Sequence, residues 1–368
     1  MAEPLAAYLA GAGLITAIGG DVNGNYHAVR AGISGYQRAD YLSANHKNIT
    51  LAQVPEAALA PITPKLARRG TISFYERQTL RLSHIAAAQA MGRCPSKAPL
   101  PLLFASPSYS LEHVQAASFF DQFCEQTKIA IDHKSSRIFA TGRAAMLEAI
   151  NLALRYLTEL GHPFVLIGGC DSPQNSAYLK TLEEQGRLAT TGIDDSFVPG
   201  EGASFLLLAK DPQYAASSLG RGVAIGPVGL GYEEGHIQNA AQPFSGQGLA
   251  KALREATKTL CENDTQHRKI TGIYSSMNGE SYWSKELAVA ITRNKNAFSD
   301  DYHVAHPADC FGDLGSATGG ALIALASQGL LSQHISGPQL VQCSSDQSYR
   351  AALCIDTINL NINTNTER

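Results

Sequence analysis

Apolar residues in this chain fall into short continuous runs that are separated by stretches with helical character. Residues 7–18 are apolar and β-branched towards their end, and Gly19 and Gly20 follow, which predicts a buried strand and a turn. Similar runs predict strands at 101–106, 162–172, 203–209, 270–276, 338–344 and 350–358. Because these runs are apolar at consecutive positions, we expect a parallel-rich sheet with both faces covered.

Four further segments are predicted to be helices. They are 75–91, 143–160, 283–292 and the small-residue segment 315–331. The segment 143–160 is the clearest, because it stops at Gly161 and carries one apolar stripe of Met146, Leu147, Ile150, Leu154 and Leu157.

A helix, a buried strand and a final apolar strand follow one another at 143–209 and again at 315–358. Helices that alternate with apolar strands are typical of an α/β/α layered fold, and the repetition predicts a duplicated one. The polar stretch 210–222 is the expected junction. We therefore expect an N-terminal half of residues 1–215 and a C-terminal half of residues 216–368, fused into one fold.

Composition narrows the functions that need to be considered. The chain is 44% hydrophobic and 17% charged, which favours a large core and argues against disorder. Its net charge of −3 gives no general attraction to nucleic acid or to an anionic membrane. No apolar run reaches about 18 residues, and no basic segment precedes the first apolar stretch. We expect a cytoplasmic protein without a membrane span.

No metal or cofactor is expected. The seven cysteines form no CxxC pair and no Cys/His cluster with zinc spacing, so reduced thiols are the simplest interpretation. Gly11 and Gly13 invite comparison with a dinucleotide-binding loop, but Thr16 stands where the third glycine should be.

Several stretches resemble the β-ketoacyl-ACP synthase branch of the thiolase superfamily. They are GAGLITAIGGD followed by HAVRAGISGY near the N-terminus, GGCDS at 168–172 and FVPGEGASFLLL at 197–208. Their order and spacing match that family across nearly the whole chain. The resemblance implies a thiolase-like α/β/α layered fold of two pseudo-repeat halves with mixed sheets, and a dimer that joins the central sheets.

The resemblance also implies a cysteine nucleophile at a helix start, two assisting histidines and a glycine-rich loop, and the sequence departs from all four. Arg143 in FATGRAAMLEAINLA stands in place of the cysteine, Asn278 in place of the first histidine, and Asp313 in CFGDLGSATGG in place of the second. The segment CSSDQSYR, which contains Ser345, replaces the loop. Without a thiolate and paired imidazoles, condensation loses its reacting groups, so we predict a degenerate synthase.

Arg143 is a charge at the start of a helix that should be buried, so it needs a partner. The motifs that contain Asp313 and Glu201 converge on the same centre in the resembled fold. We expect an Arg143–Asp313 ion pair that plugs the former active site. Two interpretations stay open beside it: Arg143 is displaced and solvated, or it anchors a carboxylate or phosphate ligand in an open pocket. Asn278 is expected in a turn, and Glu286 is expected to be solvated or to cap its helix.

Three functions follow from the resemblance. The first is a non-catalytic partner subunit, similar to a chain-length factor, or an accessory or scaffold protein. Such a protein would form a homodimer, or a heterodimer with an active synthase, and could contact an acyl carrier protein. The second is an active synthase or acyltransferase of fatty-acid or polyketide type with a rearranged site. The third is an acyl-ligand-binding accessory protein of a secretion-linked cluster. The candidate binding residues are Arg143, Glu201, Asn278, Asp313 and Ser345.

Overall fold

The computed structural model describes residues 7–42, 47–69, 72–107, 116–190, 192–239, 241–262 and 268–360. The strands in these ranges are β1 (Ala7–Thr16), β2 (Gln37–Leu42), β3 (Asn48–Leu51), β4 (Leu102–Ala105), β5 (Arg137–Phe139), β6 (Phe164–Asp171), β7 (Gly202–Ala209), β8 (Arg221–Tyr232), β9 (Ile270–Ser275), β10 (Phe298–Ala305), β11 (Gln339–Ser344) and β12 (Tyr349–Asn359). The helices are α1 (Val22–Arg30), α2 (Pro64–Ala67), α3 (Phe74–Met91), α4 (Ala116–Thr127), α5 (Ala145–Thr158), α6 (Ser176–Glu184), α7 (Gln247–Glu262), α8 (Ser281–Arg293), α9 (Ala308–Phe311) and α10 (Thr318–Leu331).

Ten of these strands form one mixed sheet in the order β10-β9-β11-β12-β8-β1-β7-β6-β4-β5, and β2 pairs with β3. Strand β4 is parallel to β5 and β6, and β9 is parallel to β10 and β11. The other pairs in the large sheet are antiparallel. The expectation of a parallel-rich sheet is therefore wrong. Strands β7 and β12 each return antiparallel between two neighbours, and a run of apolar residues does not distinguish such a buried strand from a parallel one.

The two halves of the sheet repeat one strand order. Outward from the centre, the first half runs β1-β7-β6-β4-β5 and the second runs β8-β12-β11-β9-β10. If the five strands of each half are numbered in chain order, both halves arrange them outward from the centre as first, fifth, fourth, second and third. Strands β1 and β8 join the halves through Ala7 opposite Ile225 and Tyr8 opposite Ala224. On this basis we propose the division at 215/216, between β7 and β8.

The two central helices, α5 and α10, pack against each other and fill the core that both halves share. Leu206 and Leu208 of β7 point into this core, whereas Phe205 and Leu207 point to the opposite face, which α3 and α4 cover. Helices α7 and α8 cover the corresponding face of the second half. The fold is therefore the layered α/β/α arrangement that the sequence predicts. No helix in the described ranges is long and apolar enough to cross a membrane.

Both central helices begin with a 3-10 turn, Gly142–Ala144 before α5 and Gly315–Ala317 before α10, and the two turns lie against each other. Glycine permits this close approach at the end of β6. A Cβ on Gly169 would lie 2.5 Å from the carbonyl oxygen of Ser316. The fold thus brings together the starts of two buried helices, and the candidate site lies there.

Candidate functional site

Arg143 lies in the turn that precedes α5, and it is buried with only 4% of its surface exposed. Its Nε donates to the carbonyl oxygen of Ser344 at 2.7 Å, its Nη1 pairs with Asp313, and its Nη2 donates to Asp346 Oδ1 at 2.6 Å. The guanidinium also lies over the Trp283 ring, 4.4 Å from the centroid. The interpretation in which Arg143 is displaced and solvated is therefore wrong.

The carboxylates around Arg143 decide its protonation. Burial alone lowers the pKa of the guanidinium, but the charges of Asp313, Asp346 and Glu280 outweigh it and raise the pKa above the usual value. Arg143 is therefore a permanent cation and not a proton donor or acceptor for chemistry near neutral pH.

Asp313 is fixed by both its backbone and its side chain. Its N–H donates to the carbonyl oxygen of Val198, and its own carbonyl accepts from the N–H of Gly200, each at 2.8 Å. Its Oδ1 accepts from the N–H of Gly315 at 2.9 Å, at the start of the α10 turn. A carboxylate at this position is favoured by the partial positive charge of the helix start.

Asn278 joins the same cluster from the turn that follows β9. Its Nδ2 donates to Asp313 Oδ2 at 2.9 Å and to Glu280 Oε2 at 3.1 Å, and the side chain is buried. The structure thus brings together Arg143, Asn278 and Asp313, the three positions at which the resemblance implies a cysteine and two histidines.

Ser345 belongs to the same place but contacts different groups. Its Oγ accepts from the N–H of Ala144 at 3.0 Å and donates to the carbonyl oxygen of Thr141. The segment 343–350 therefore closes on the start of α5 through a side chain rather than through glycines.

Glu201 does not join the cluster, and its expected pairing with Arg143 is wrong. It is fully buried and accepts from Ser172 Oγ at 2.6 Å, Gln78 Nε2 at 3.0 Å and the N–H of Val54 at 3.0 Å. Side chains alternate along extended backbone. A Cβ on the preceding Gly200 would face Phe311, so Glu201 points to the other side, towards α3.

The sequence interpretation missed Arg187, which completes the cluster. Its Nε and Nη2 donate to the two oxygens of Glu280 at 2.6 and 2.8 Å, and its Nη1 donates to Asp346 Oδ2 at 2.7 Å. Asp346 therefore bridges two guanidinium groups. Although burial opposes it, the charges of Arg143 and Arg187 hold the pKa of Asp346 at about 2, so it is ionised.

A second buried ion pair also lies beside Trp283, with the Arg350 guanidinium 5.6 Å from the ring centroid. Arg350 Nε donates to Glu286 Oε1 at 2.7 Å, and both side chains have at most 1% of their surface exposed. The expectation that Glu286 is solvated or caps its helix is therefore wrong. It lies on the inner face of α8, where Arg350 in β12 supplies the opposite charge. Arg350 also donates to the carbonyl of Ser345 at 2.7 Å, which links this pair to the cluster.

An open cleft of about 400 Å³ lies beside the cluster. A second cavity of about 580 Å³ lies on the other side of Arg187, with Gln185 and Gln238 also facing both spaces. The ion pairs occupy the floor of the cleft but do not fill it. Its lining includes Arg143, Asp171, Asp313, Arg187 and Asp346, together with residues of α6.

The cysteines near the cluster are not activated as nucleophiles. Cys343 in β11 is fully buried, and burial is the largest of the influences that raise the pKa of its thiol. Burial likewise raises the pKa of Cys170 and of Cys310. A reactive cysteine requires the opposite shift, since the thiolate is the nucleophile.

No protein-family model matches the sequence, and no curated protein matches it. Solved structures do match. A ketosynthase from module 6 of the bacillaene synthase of Bacillus subtilis 168 is 13% identical, with a TM-score of 0.72 over 95% of this chain and 72% of the other. The structure of a ketosynthase (ApeO) in complex with its chain length factor (ApeC), from Xenorhabdus doucetiae, contains a match that is 14% identical, with a TM-score of 0.69 over 96% and 98%. AntDE:AntF, a type II PKS acyl-carrier protein in complex with its ketosynthase, contains a match with a TM-score of 0.75 and 14% identity over 96% and 100%.

This protein has the ketosynthase fold. The matches cover nearly the whole chain, so the fold that the resemblance implies is confirmed over both halves. At these identities the matches establish the fold alone, and the role of the altered cluster is a separate question.

Proposed function

We propose that this protein is a ketosynthase-like protein that does not carry out cysteine-dependent condensation and that acts as a partner subunit or accessory protein of an active synthase. One observation carries the proposal. At the start of α5, where the resemblance implies a thiolate, there is a guanidinium that is ion-paired with Asp313 and Asp346.

This set of groups lacks the nucleophile and the hydrogen-bond donors that condensation requires. An acyl-enzyme needs a nucleophile, and a guanidinium that stays protonated is not one. Decarboxylation of a malonyl unit needs a donor that stabilises developing negative charge. Here Asp313 presents a carboxylate at that position, which repels such charge, and the Asn278 amide hydrogens already donate to Asp313 and Glu280.

The sheet offers a place for a partner. Strand β5 is at the edge of the large sheet, and among the described residues it pairs with β4 on one side only. Exposed strand edges are templates for pairing with another chain. The resemblance implies a dimer that joins the central sheets, and the similar structures include a ketosynthase with its chain length factor and a ketosynthase with an acyl-carrier protein. A homodimer and a heterodimer with an active synthase both fit this edge.

A rearranged but active site is the second candidate, and the cysteines argue against it. In addition to Cys170, Cys310 and Cys343, burial raises the pKa of Cys94 and of Cys124. Binding of an acyl ligand without chemistry, the third candidate, is favoured only by the open cleft.

Intact-protein mass spectrometry after incubation with acyl-CoA and with acyl-loaded carrier protein tests the proposal. We expect no acyl adduct on this protein, whereas a complete ketosynthase with the Cys-His-His set acquires one under the same conditions. A stoichiometric adduct on any cysteine of this chain would refute the non-catalytic assignment. Co-expression with such a synthase and co-purification then tests the partner role separately.

A further inference from the structure

The cleft beside the cluster has the size and composition of a small-ligand site. Its volume of about 400 Å³ lies within the range of about 300–1,000 Å³ that such sites occupy. Helix α6 supplies a largely apolar wall, which includes Ala177, Tyr178 and Leu182. Amide side chains that can donate or accept hydrogen bonds also line it, namely Asn175, Gln185, Gln238 and Gln347.

The charged groups of the floor are unequally accessible from this space. The Asp346 side chain is 23% exposed, whereas those of Arg143 and Arg187 are 5% and 9% exposed. Asp313, at 6%, is as buried as the two arginines. The charge that a ligand meets first in the cleft is therefore the carboxylate of Asp346.

The cationic groups of the floor are already engaged. Arg143 makes three hydrogen bonds within the protein and Arg187 makes four, and their carboxylate partners Asp313, Asp346 and Glu280 outnumber them. The helix starts are also engaged, because the N–H of Gly315 donates to Asp313 and the N–H of Ala144 donates to Ser345. An incoming anion would thus meet a carboxylate rather than a free cation.

We propose that this cleft binds a small molecule that carries a primary ammonium group on a short aliphatic stem. The ammonium lies against the carboxylate of Asp346, and the stem lies along Tyr178 and Leu182 of α6. This ligand class is opposite in charge to the carboxylate or phosphate ligand that an unpaired Arg143 would attract. The proposal rests on the proposed function in one respect, since the ammonium ligand lies in a cleft that an acyl substrate would enter in an active synthase.

Three probes of equal chain length and different charge test the ligand class on the wild-type protein. They are hexylamine, hexanol and hexanoate, and isothermal titration calorimetry near neutral pH gives their affinities. We expect hexylamine to bind roughly tenfold or more tightly than hexanoate, with hexanol between them. Trp283 is the only tryptophan in the chain and stacks on Arg143, so its fluorescence should change on binding. Equal or tighter binding of hexanoate, or no binding of any probe, overturns the proposal.

The Asp346→Asn variant tests whether the carboxylate of Asp346 binds the ammonium group. The substitution removes the bridging charge and releases donors of Arg143 and Arg187 towards the cleft, so hexylamine should lose roughly tenfold in affinity and hexanoate should gain. Asp211→Asn is the matched control, because Asp211 is exposed, accepts hydrogen bonds from Gln213 and does not line the cleft, so the order of the probes should stay unchanged. Unchanged hexylamine binding in Asp346→Asn overturns the assignment of the binding group.

The two proposals fail independently. An acyl adduct with retained preference for hexylamine refutes the proposed function alone. A preference for hexanoate without any acyl adduct refutes the ligand class alone.

Discussion

Arg143 is tolerated in the core because three carboxylates lie around it. A buried ion pair is not strongly stabilising compared with apolar packing, but removal of one partner leaves an uncompensated charge and costs about 3–5 kcal/mol. The stacking of the guanidinium on Trp283 adds a cation–π contact. The cluster is therefore a unit in which each charge depends on the others, and single substitutions should have large effects.

The first prediction concerns the replacement of Arg143 by cysteine, the nucleophile that the resemblance implies at this position. In Arg143→Cys, Asp313 loses its guanidinium partner while Arg187 stays paired with Asp346 and Glu280, so these carboxylates disfavour a thiolate. We expect no acyl adduct on the introduced thiol after incubation with acyl-CoA, and a loss of unfolding free energy of about 3–5 kcal/mol. Mass spectrometry and urea unfolding measure the two effects. Rapid acylation of the introduced thiol, with wild type unreacted, would contradict our account of the local charge.

The second prediction concerns Glu201, which is buried and makes no ion pair with the residues that the structure describes. Burial raises the pKa of its carboxyl above 4.5, although hydrogen bonds from Ser172, Gln78 and Val54 oppose this. The folded state therefore keeps the proton to higher pH than the unfolded state does, and stability falls as pH rises from 4.5 through the raised pKa. Relative to Glu201→Gln, wild type should lose unfolding free energy over this range.

Urea unfolding at a series of pH values measures the Glu201 effect as the difference between wild type and variant. Glu159→Gln is the matched control, because Glu159 is half-exposed at the end of α5 and its ion-pair partner among the described residues is Arg155. If the difference in unfolding free energy between wild type and Glu201→Gln stays constant with pH, the Glu201 carboxyl has the same pKa in the folded and unfolded states, which would contradict the prediction.

At the residue scale the sequence predicted that Arg143, Asn278 and Asp313 lie together, wrongly placed Glu201 with them, and missed Arg187, Glu280 and Asp346. The motifs place Arg143, Asn278 and Asp313 at the ends of recognisable elements, where the fold fixes their neighbours. Arg187 and Asp346 lie 159 positions apart in irregular segments, with no periodicity or motif to connect them. Only the tertiary structure brings such residues together.

At the scale of elements, the start of α5 depends on the other half of the chain. The 3-10 turn and α5 have no side-chain cap of their own. Instead Ser345, from the segment after β11, accepts from the N–H of Ala144. The segment is itself held by Arg350, which donates to the carbonyls of Ser345, Gln347 and Tyr349. Where the resemblance implies a glycine-rich loop, this segment therefore makes a set of polar contacts.

The third prediction tests this cap. Ser345→Ala removes the acceptor of the Ala144 N–H and leaves that buried donor unpaired, so we expect a loss of about 1–2 kcal/mol in unfolding free energy. Ser284→Ala, on the exposed face of α8, is the matched control and should change stability little. Urea unfolding of both variants measures the difference. Equal stability of Ser345→Ala and wild type would mean that water or another group replaces the hydroxyl.

The pattern of apolar residues predicted α3, α5, α8 and α10 because burial dictates it, but it missed α7, which has 16 residues, and β8, which has 12. The segments predicted at 143–160 and 315–331 contain α5 and α10, and each strand predicted from an apolar run has a counterpart. The 3-10 turns at both helix starts were not predicted, since polar contacts between the halves shape them. The pattern also did not predict strand direction, because β6 and β7 are both fully buried although they pair antiparallel.

At the scale of the whole molecule, duplication explains where the site lies. Each half contributes one central helix, and the two helix starts meet where Gly169 approaches Ser316. The first half supplies Arg143 and Arg187 to the cluster, and the second supplies Asn278, Glu280, Asp313 and Asp346. Opposite charges thus come from opposite halves, so the cluster also holds the two halves together at this point.

The fourth prediction concerns the edge strand β5 and assembly. The carbonyl of Phe139 accepts from the N–H of Ser106, next to β4, so alternation along a parallel strand directs the N–H of Ile138 away from β4. A partner strand would use that group. Ile138→Pro should abolish dimers of the 39.1 kDa chain, or its complex with a co-expressed synthase, without loss of the β4 pairing. Ile138→Ala shortens the side chain but keeps the N–H, and should assemble like wild type.

Sedimentation velocity measures the assembly state, and circular dichroism checks that each variant is folded. If Ile138→Pro is folded and assembles like wild type, the partner binds elsewhere; if Ile138→Ala also fails, the contact depends on the side chain rather than on strand pairing.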